Sequence, residues 1–205
     1  MEEKLTKVNY FTNFDLAKFI NAINVNTYLQ RYREKHLIFR IKQGIYVSKE
    51  RLEYFEKVWK KTEYLYFLAT NVINSMSYLS GPYILSLNNI TTESAFTITL
   101  ITTKKTNTIE NDFGTFIYQN IHNNLFRWYE RKEEFWLIYY RAYPEKALLD
   151  WLWLKKDIHY SLEFFRELRL NVELLDFKRL EDFVQKFNKP KITKCFKFLQ
   201  KLAWW

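Results

Sequence analysis

The sequence predicts an α+β protein in two parts, divided near residue 58. Three observations carry this. Apolar residues recur at i, i+4, i+7 in the first forty residues and again near the carboxy end, which is helical spacing. Between them Phe96, Ile98 and Leu100 alternate with Thr97 and Thr99, which is strand spacing. The charge is also uneven. Residues 1–61 hold 13 of the 32 Lys and Arg but only 7 of the 23 Asp and Glu, so they carry +6 of the net +9.

Composition narrows the class. Of the 205 residues 48% are hydrophobic and 20% aromatic, enough to fill a core, while Gly and Pro number only 3 each, which excludes disordered and collagen-like chains. A single cysteine excludes a disulfide framework and a cysteine-based zinc site, and implies a reducing, cytoplasmic compartment. No stretch reaches the ~18 uncharged apolar residues of a membrane span. Met1-Glu2-Glu3-Lys4 leads into no apolar run and does not read as a signal peptide.

Thr12-Asn13-Phe14-Asp15 reads as a capping box opening a helix with Leu16, Ile20 and Ile23 on one stripe. Asn24 and Asn26 supply a turn and a new N-cap. A second helix follows with Val25, Leu29 and Tyr32 buried, which leaves Thr27, Gln30, Arg31 and Glu34 on the opposite face and Arg33 and Lys35 on its flanks. Leu37 to Ile41 and Ile45 to Val47 then form a hairpin around Lys42-Gln43-Gly44. Helix, short turn, helix and basic hairpin is the order of a winged helix-turn-helix. Such a helix can offer Gln30 and Arg31 to base edges in a major groove, with Thr27 beside them. Arg33, Lys35, Arg40, Lys42 and Gln43 are then placed to meet phosphates. The expected partner is operator DNA. A solvated basic face, or a winged helix that binds protein, is the competing reading.

In the second part, the apolar run from Glu63 to Tyr78 reads as a buried helix ended by Gly81-Pro82. Strands follow at Phe96, at Phe116 to Tyr118 and at Phe135 to Tyr140, with 127–134 a polar loop. Pro144 suits the first position of a helix, Glu145 its positive end, and Ala147, Leu148, Trp151 and Leu152 its buried face. Lys146 and Asp150 form an i, i+4 pair placed on an exposed face, where removing the lysine costs under about 0.5 kcal/mol. Later helices carry Leu180, Phe183, Val184 and Phe187, then Ile192, Cys195, Leu199 and Leu202, with Cys195 a packed thiol.

Catalytic motifs are absent: there is no phosphate-binding glycine loop, no nucleophile elbow and no zinc-protease helix. His36, His122 and His159 share no ligand spacing, so no metal or cofactor is expected. One weak enzyme pattern exists, Asp112 with Glu130 and Lys132, the acid and lysine set of a metal-dependent nuclease.

Tyr10-Phe11-Thr12 through Leu16, with Leu37-Ile38-Phe39-Arg40-Ile41-Lys42-Gln43-Gly44-Ile45-Tyr46-Val47, resembles the amino-terminal domain of the AbiEi family, the antitoxins and transcriptional regulators of type IV toxin–antitoxin systems. Phe96 to Thr106, then Phe113 to Tyr118, resembles the family's paired strands, and Arg141-Ala142-Tyr143-Pro144-Glu145-Lys146-Ala147-Leu148-Leu149-Asp150 its A-x-P-E-K-A-L-x-D motif. Leu168 to Phe187 is similar to its later helices, and Pro82-Tyr83-Ile84-Leu85-Ser86-Leu87 resembles its P-S-Y-I-S-L segment, which implies a strand there. Where the family has glycine before the wing, this chain has His36. The resemblance implies a repressor of its own operon that is not an enzyme. Its second domain would counteract a nucleotidyltransferase-like toxin without a stable complex, and Pro144, Glu145, Lys146 and Asp150 would be its family motif. The alternative is a stand-alone regulator without a toxin.

Overall fold

A computed structural model describes residues 3–20 and 24–203 of the chain, and its architecture is mixed α+β. The amino-terminal part contains α1 (Glu3–Thr6), β1 (Phe11–Thr12), α2 (Asn13–Ala17), α3 (Val25–Glu34), β2 (Ile38–Lys42), β3 (Ile45–Ser48) and α4 (Lys49–Lys57). The three strands form an antiparallel sheet in the order β1-β3-β2, so the outer side of β2 is a sheet edge.

Local chemistry sets the ends of these elements. The capping box before α2 is complete: the Asp15 amide donates to Thr12 Oγ1 at 3.2 Å and the Thr12 amide donates to Asp15 Oδ2 at 3.0 Å. His36 takes φ +51° at the end of α3, the left-handed conformation that glycine would adopt freely, and Gly44 takes φ +75° in the β2–β3 turn. Leu16, Val25 and Leu29 are buried with Leu5, Phe11, Ile38 and Tyr46, while Ile20 and Tyr32 pack partly against them. Ile23 lies outside the described residues.

Substituting Thr12 with alanine is expected to cost about 1 kcal/mol in urea unfolding. The Thr12 hydroxyl and amide hold the Asp15 carboxyl below its ordinary range. Its stabilising effect is therefore present above the unfolded pKa and lost as pH falls through the lower folded value. Acid titration of wild type against Asp15→Asn, with greater acid sensitivity in wild type, checks the sign.

The remaining chain runs through α5 (Lys61–Phe67), β4 (Ser77–Leu79), α6 (Gly81–Leu87), β5 (Ile98–Thr102), β6 (Asn107–Asn111), β7 (Gly114–Asn120), β8 (Tyr129–Glu134), β9 (Leu137–Ala142), α7 (Pro144–Leu154), α8 (Leu162–Glu167), α9 (Phe177–Phe187) and α10 (Pro190–Ala203). Six strands form one sheet in the order β6-β7-β5-β4-β9-β8. The β4–β9 and β5–β7 pairs are parallel and the others antiparallel. Its core includes Leu79, Leu100, Phe116, Tyr118, Leu148 and Leu180, and also Ile41, Val47 and Phe55 from β2, β3 and α4. Residue 58 thus falls between two helices, yet the larger core draws on both sides of it.

Several elements differ from the sequence reading. The apolar run after Glu63 is not one helix. α5 continues into a π-helical turn, Leu68–Ile73, and the chain then enters β4. The widened turn lets Asn71 Nδ2 donate to both Phe67 O at 3.0 Å and Ile138 O at 2.7 Å, which ties the helix end to the sheet. Pro82 to Leu87 is a helix, α6, not a strand. Pro82 sits in its first turn, where no amide is needed, and Ile84 and Leu85 bury one helical face. The strand near Phe96 starts at Ile98, and Phe96 itself is 93% exposed. The polar stretch 127–134 is mostly β8, whose charged residues suit an edge strand. The last strand starts at Leu137 because Phe135 and Trp136, at φ +50° and +54°, form the hairpin turn. Among the described residues no helix is long and apolar enough to cross a membrane.

Candidate nucleic-acid interface

Helical periodicity turns Val25 and Leu29 of α3 inward, and Thr27, Gln30, Arg31, Arg33 and Lys35 are all exposed on its outer side. Arg31, Arg33 and Lys35 form no ion pair among the described residues. The acid of the same face, Glu34, accepts a hydrogen bond from Gln30 Nε2 at 2.9 Å. Tyr28 and Tyr32 stack at 4.1 Å along the flank and stiffen the helix.

The hairpin residues are more enclosed. Arg40 and Lys42 are half-buried and Gln43 is exposed. Lys42 Nζ approaches Ile73 O at 3.4 Å, and burial together with the nearby Lys104 holds its ammonium below the ordinary lysine range. A cleft of about 690 Å³ between α3 and β2 is lined by Gln30, Arg33, His36 and Phe39 among others. A second, of about 310 Å³, is lined by Arg33, Arg40, Lys42 and Gln43. Arg33 thus joins the helix to the hairpin. Thr27, Arg31 and Lys35 stand on α3 outside both clefts.

Two residues absent from the sequence reading of this surface belong to it. Asn111, the last residue of β6, and Asp112, in the β6–β7 turn, dock on the edge of β2: the Arg40 amide donates to Asp112 Oδ2 at 2.7 Å, and Asn111 Nδ2 donates to Ile41 O at 2.8 Å. An Asn-Asp-x-Gly stretch signals a tight turn, but nothing local in it signals that the turn meets a strand 70 residues earlier.

The Pro144 motif is a different kind of place. Pro144 is in the first turn of α7, as expected. The exposed position expected for Lys146 is wrong: Lys146 and Asp150 are both fully buried and form an ion pair inside the protein. Asp150 Oδ2 also accepts hydrogen bonds from Tyr78 Oη at 3.0 Å and Ser80 Oγ at 2.8 Å. The Lys146 ammonium faces the rings of Phe187, Tyr78 and Trp128 at 5.3, 5.6 and 5.8 Å. A helix packed on both sides, by the sheet end near β4 and by α9, has no outer face at these positions. Burial lifts the Asp150 carboxyl and lowers the Lys146 ammonium from their ordinary values, and their mutual attraction opposes both shifts. Glu145 is buried as well, accepting from the Asp176 amide at 2.9 Å and pairing with Arg179 at 3.4 Å. The motif locks α7 to the sheet and to the start of α9, and its charged atoms are closed to solvent.

The nuclease set does not assemble. Asp112 lies at the β6–β7 end of the large sheet, whereas Glu130 is on β8 at the opposite edge, paired with Lys132 and Arg141. Among the described residues no three His, Cys, Asp or Glu side chains form a metal-binding group. Cys195 is buried, which pushes its thiol up to about 11. No family model and no curated protein matches the chain.

Proposed function

We propose that this chain is a DNA-binding transcriptional repressor whose amino-terminal part acts as a winged helix, with α3 as the helix that enters the major groove. The observation that carries the reading is the outer face of α3, where Arg31, Arg33 and Lys35 are exposed without ion pairs among the described residues beside the Arg40–Gln43 hairpin. Unpaired cations on a narrow helix can replace condensed counterions along a phosphate backbone, and Gln30 and Arg31 have the donor groups that read base edges. We further propose, on the sequence resemblance alone, that the repressed operon is a type IV toxin–antitoxin operon. In it the second part would counteract a nucleotidyltransferase-like toxin in the cytoplasm.

Arg31→Ala is expected to weaken binding to the DNA upstream of the gene by about 1–3 kcal/mol and to relax preference at one base position. Lys35→Ala is expected to weaken all sequences alike and make the salt slope shallower by about 0.9. A mobility-shift series over sequence and salt measures both effects. Wild-type protein that shows no affinity for that DNA at low salt overturns the reading.

A further inference from the structure

We infer that Asp112 is a built-in anion at the basic surface, held there to weaken its affinity for phosphate polyanions. The inference rests on the reading of that surface as a polyanion site. The carboxylate is held to the strand edge by a backbone amide. Its Oδ2 takes the Arg40 amide at 2.7 Å, and the neighbouring Asn111 spans the same strand edge to Ile41 O at 2.8 Å. The turn is braced from within by the Phe113 amide donating to Asn111 Oδ1 at 2.9 Å. The Phe113 ring lies 6.4 Å from that of Phe39, which adds an apolar contact to the same dock.

What this places at the surface is a net negative charge without a cation of its own. Asp112 forms no ion pair among the described residues, and it lines both clefts together with Arg33, the smaller of which also holds Arg40 and Lys42. The other acids there are differently placed. Glu34 on α3 lines only the larger cleft and Glu110 on β6 only the smaller, whereas Asp112 lines both. An edge-strand amide needs an acceptor, but an asparagine, serine or threonine oxygen would serve. A carboxylate fills the same role and adds repulsion for any phosphate entering beside Arg33 and Arg40.

Asp112→Asn separates the two roles, because the amide oxygen still accepts the Arg40 N–H while the charge is gone. Glu181→Gln, on the exposed side of α9 and outside both clefts, makes the same change in net charge. The full-length proteins are compared by fluorescence anisotropy on duplex DNA from upstream of the gene and by salt elution from heparin. The expected result is about three- to tenfold tighter DNA binding for Asp112→Asn, a salt slope steeper by up to about 0.9, and later elution from heparin, with Glu181→Gln matching wild type. Asp112→Asn and Glu181→Gln behaving alike on both probes overturns the inference. Later heparin elution of Asp112→Asn with no DNA binding by any variant supports it for polyanions at large, and sinks the DNA reading instead.

Discussion

Lys146→Ala is expected to lower the free energy of unfolding by about 3–5 kcal/mol, a large fraction of the roughly 5–15 kcal/mol that keeps a domain folded. The substitution leaves Asp150 fully buried with only the Tyr78 and Ser80 hydroxyls to stabilise its charge. It also opens a space among the Tyr78, Trp128 and Phe187 rings. Urea denaturation of wild type and variant measures the loss, and a loss below about 0.5 kcal/mol would show that the pair is not the lock described above. The double variant Lys146→Met with Asp150→Asn should recover much of it, since it removes both charges and keeps an acceptor for the two hydroxyls. The pH dependence has a definite sign. Burial raises the folded pKa of Asp150 above its unfolded value, and without Lys146 nothing opposes that shift by direct pairing. A raised carboxyl pKa contributes stability that is fully present below the unfolded value and is lost as pH rises through the folded one. The deficit of Lys146→Ala should therefore begin to shrink as pH falls through the raised folded pKa, where the lone carboxyl takes a proton, and be smallest below the unfolded value of about 3.9.

A fragment ending at Lys61 is expected to be unfolded in isolation. Ile41, Val47 and Phe55 come from the small sheet and α4, but they belong to the larger core and are fully buried there. Phe55 stacks on Tyr64 at 4.3 Å, and Tyr64 Oη donates to Asn9 O at 2.5 Å, so α5 closes the amino-terminal part from beneath. Exposing three such side chains forfeits about 1.5–3 kcal/mol each, and a 60-residue unit has little to spare. Cutting at Lys61 also frees the edge of β2 by removing Asn111 and Asp112. Circular dichroism and amide dispersion of the fragment measure this, and a cooperative thermal transition with native-like dispersion would contradict it. DNA binding assigned to α3 is best tested in the full chain for the same reason.

These two expectations mark how much was legible in the sequence. Short-range physics was. The Thr12–Asp15 capping box, α3, the hairpin turn at Gly44 and the proline start of α7 depend on contacts within a few residues, and the outward face of α3 follows from 100° per residue, whereas the helix opened by the capping box ends at Ala17, short of Ile20 on its expected stripe. The left-handed turn at His36 was marked only by analogy with a glycine at that place, and histidine is among the residues that accept it.

Long-range placement was not legible. The apolar run around Leu68 suits a helix by composition, but the sheet needed Ser77–Leu79 as a strand between β5 and β9, and the chain reached it through a widened turn. Lys146 and Asp150 at i, i+4 look like any solvent-facing pair, because the sequence shows their spacing and not the helix and sheet that cover them. In the sequence Asp112 stands out only as an acid of the nuclease pattern, and it joins the basic surface only by docking. By itself the sequence determined the α+β class, the local helix and turn signals, and the basic exposed face of α3, since periodicity, caps and charge are carried by neighbours along the chain. Which charges are buried, which strand edges are covered and how the two parts share one core were set in three dimensions, since those depend on residues up to 82 positions apart meeting in space.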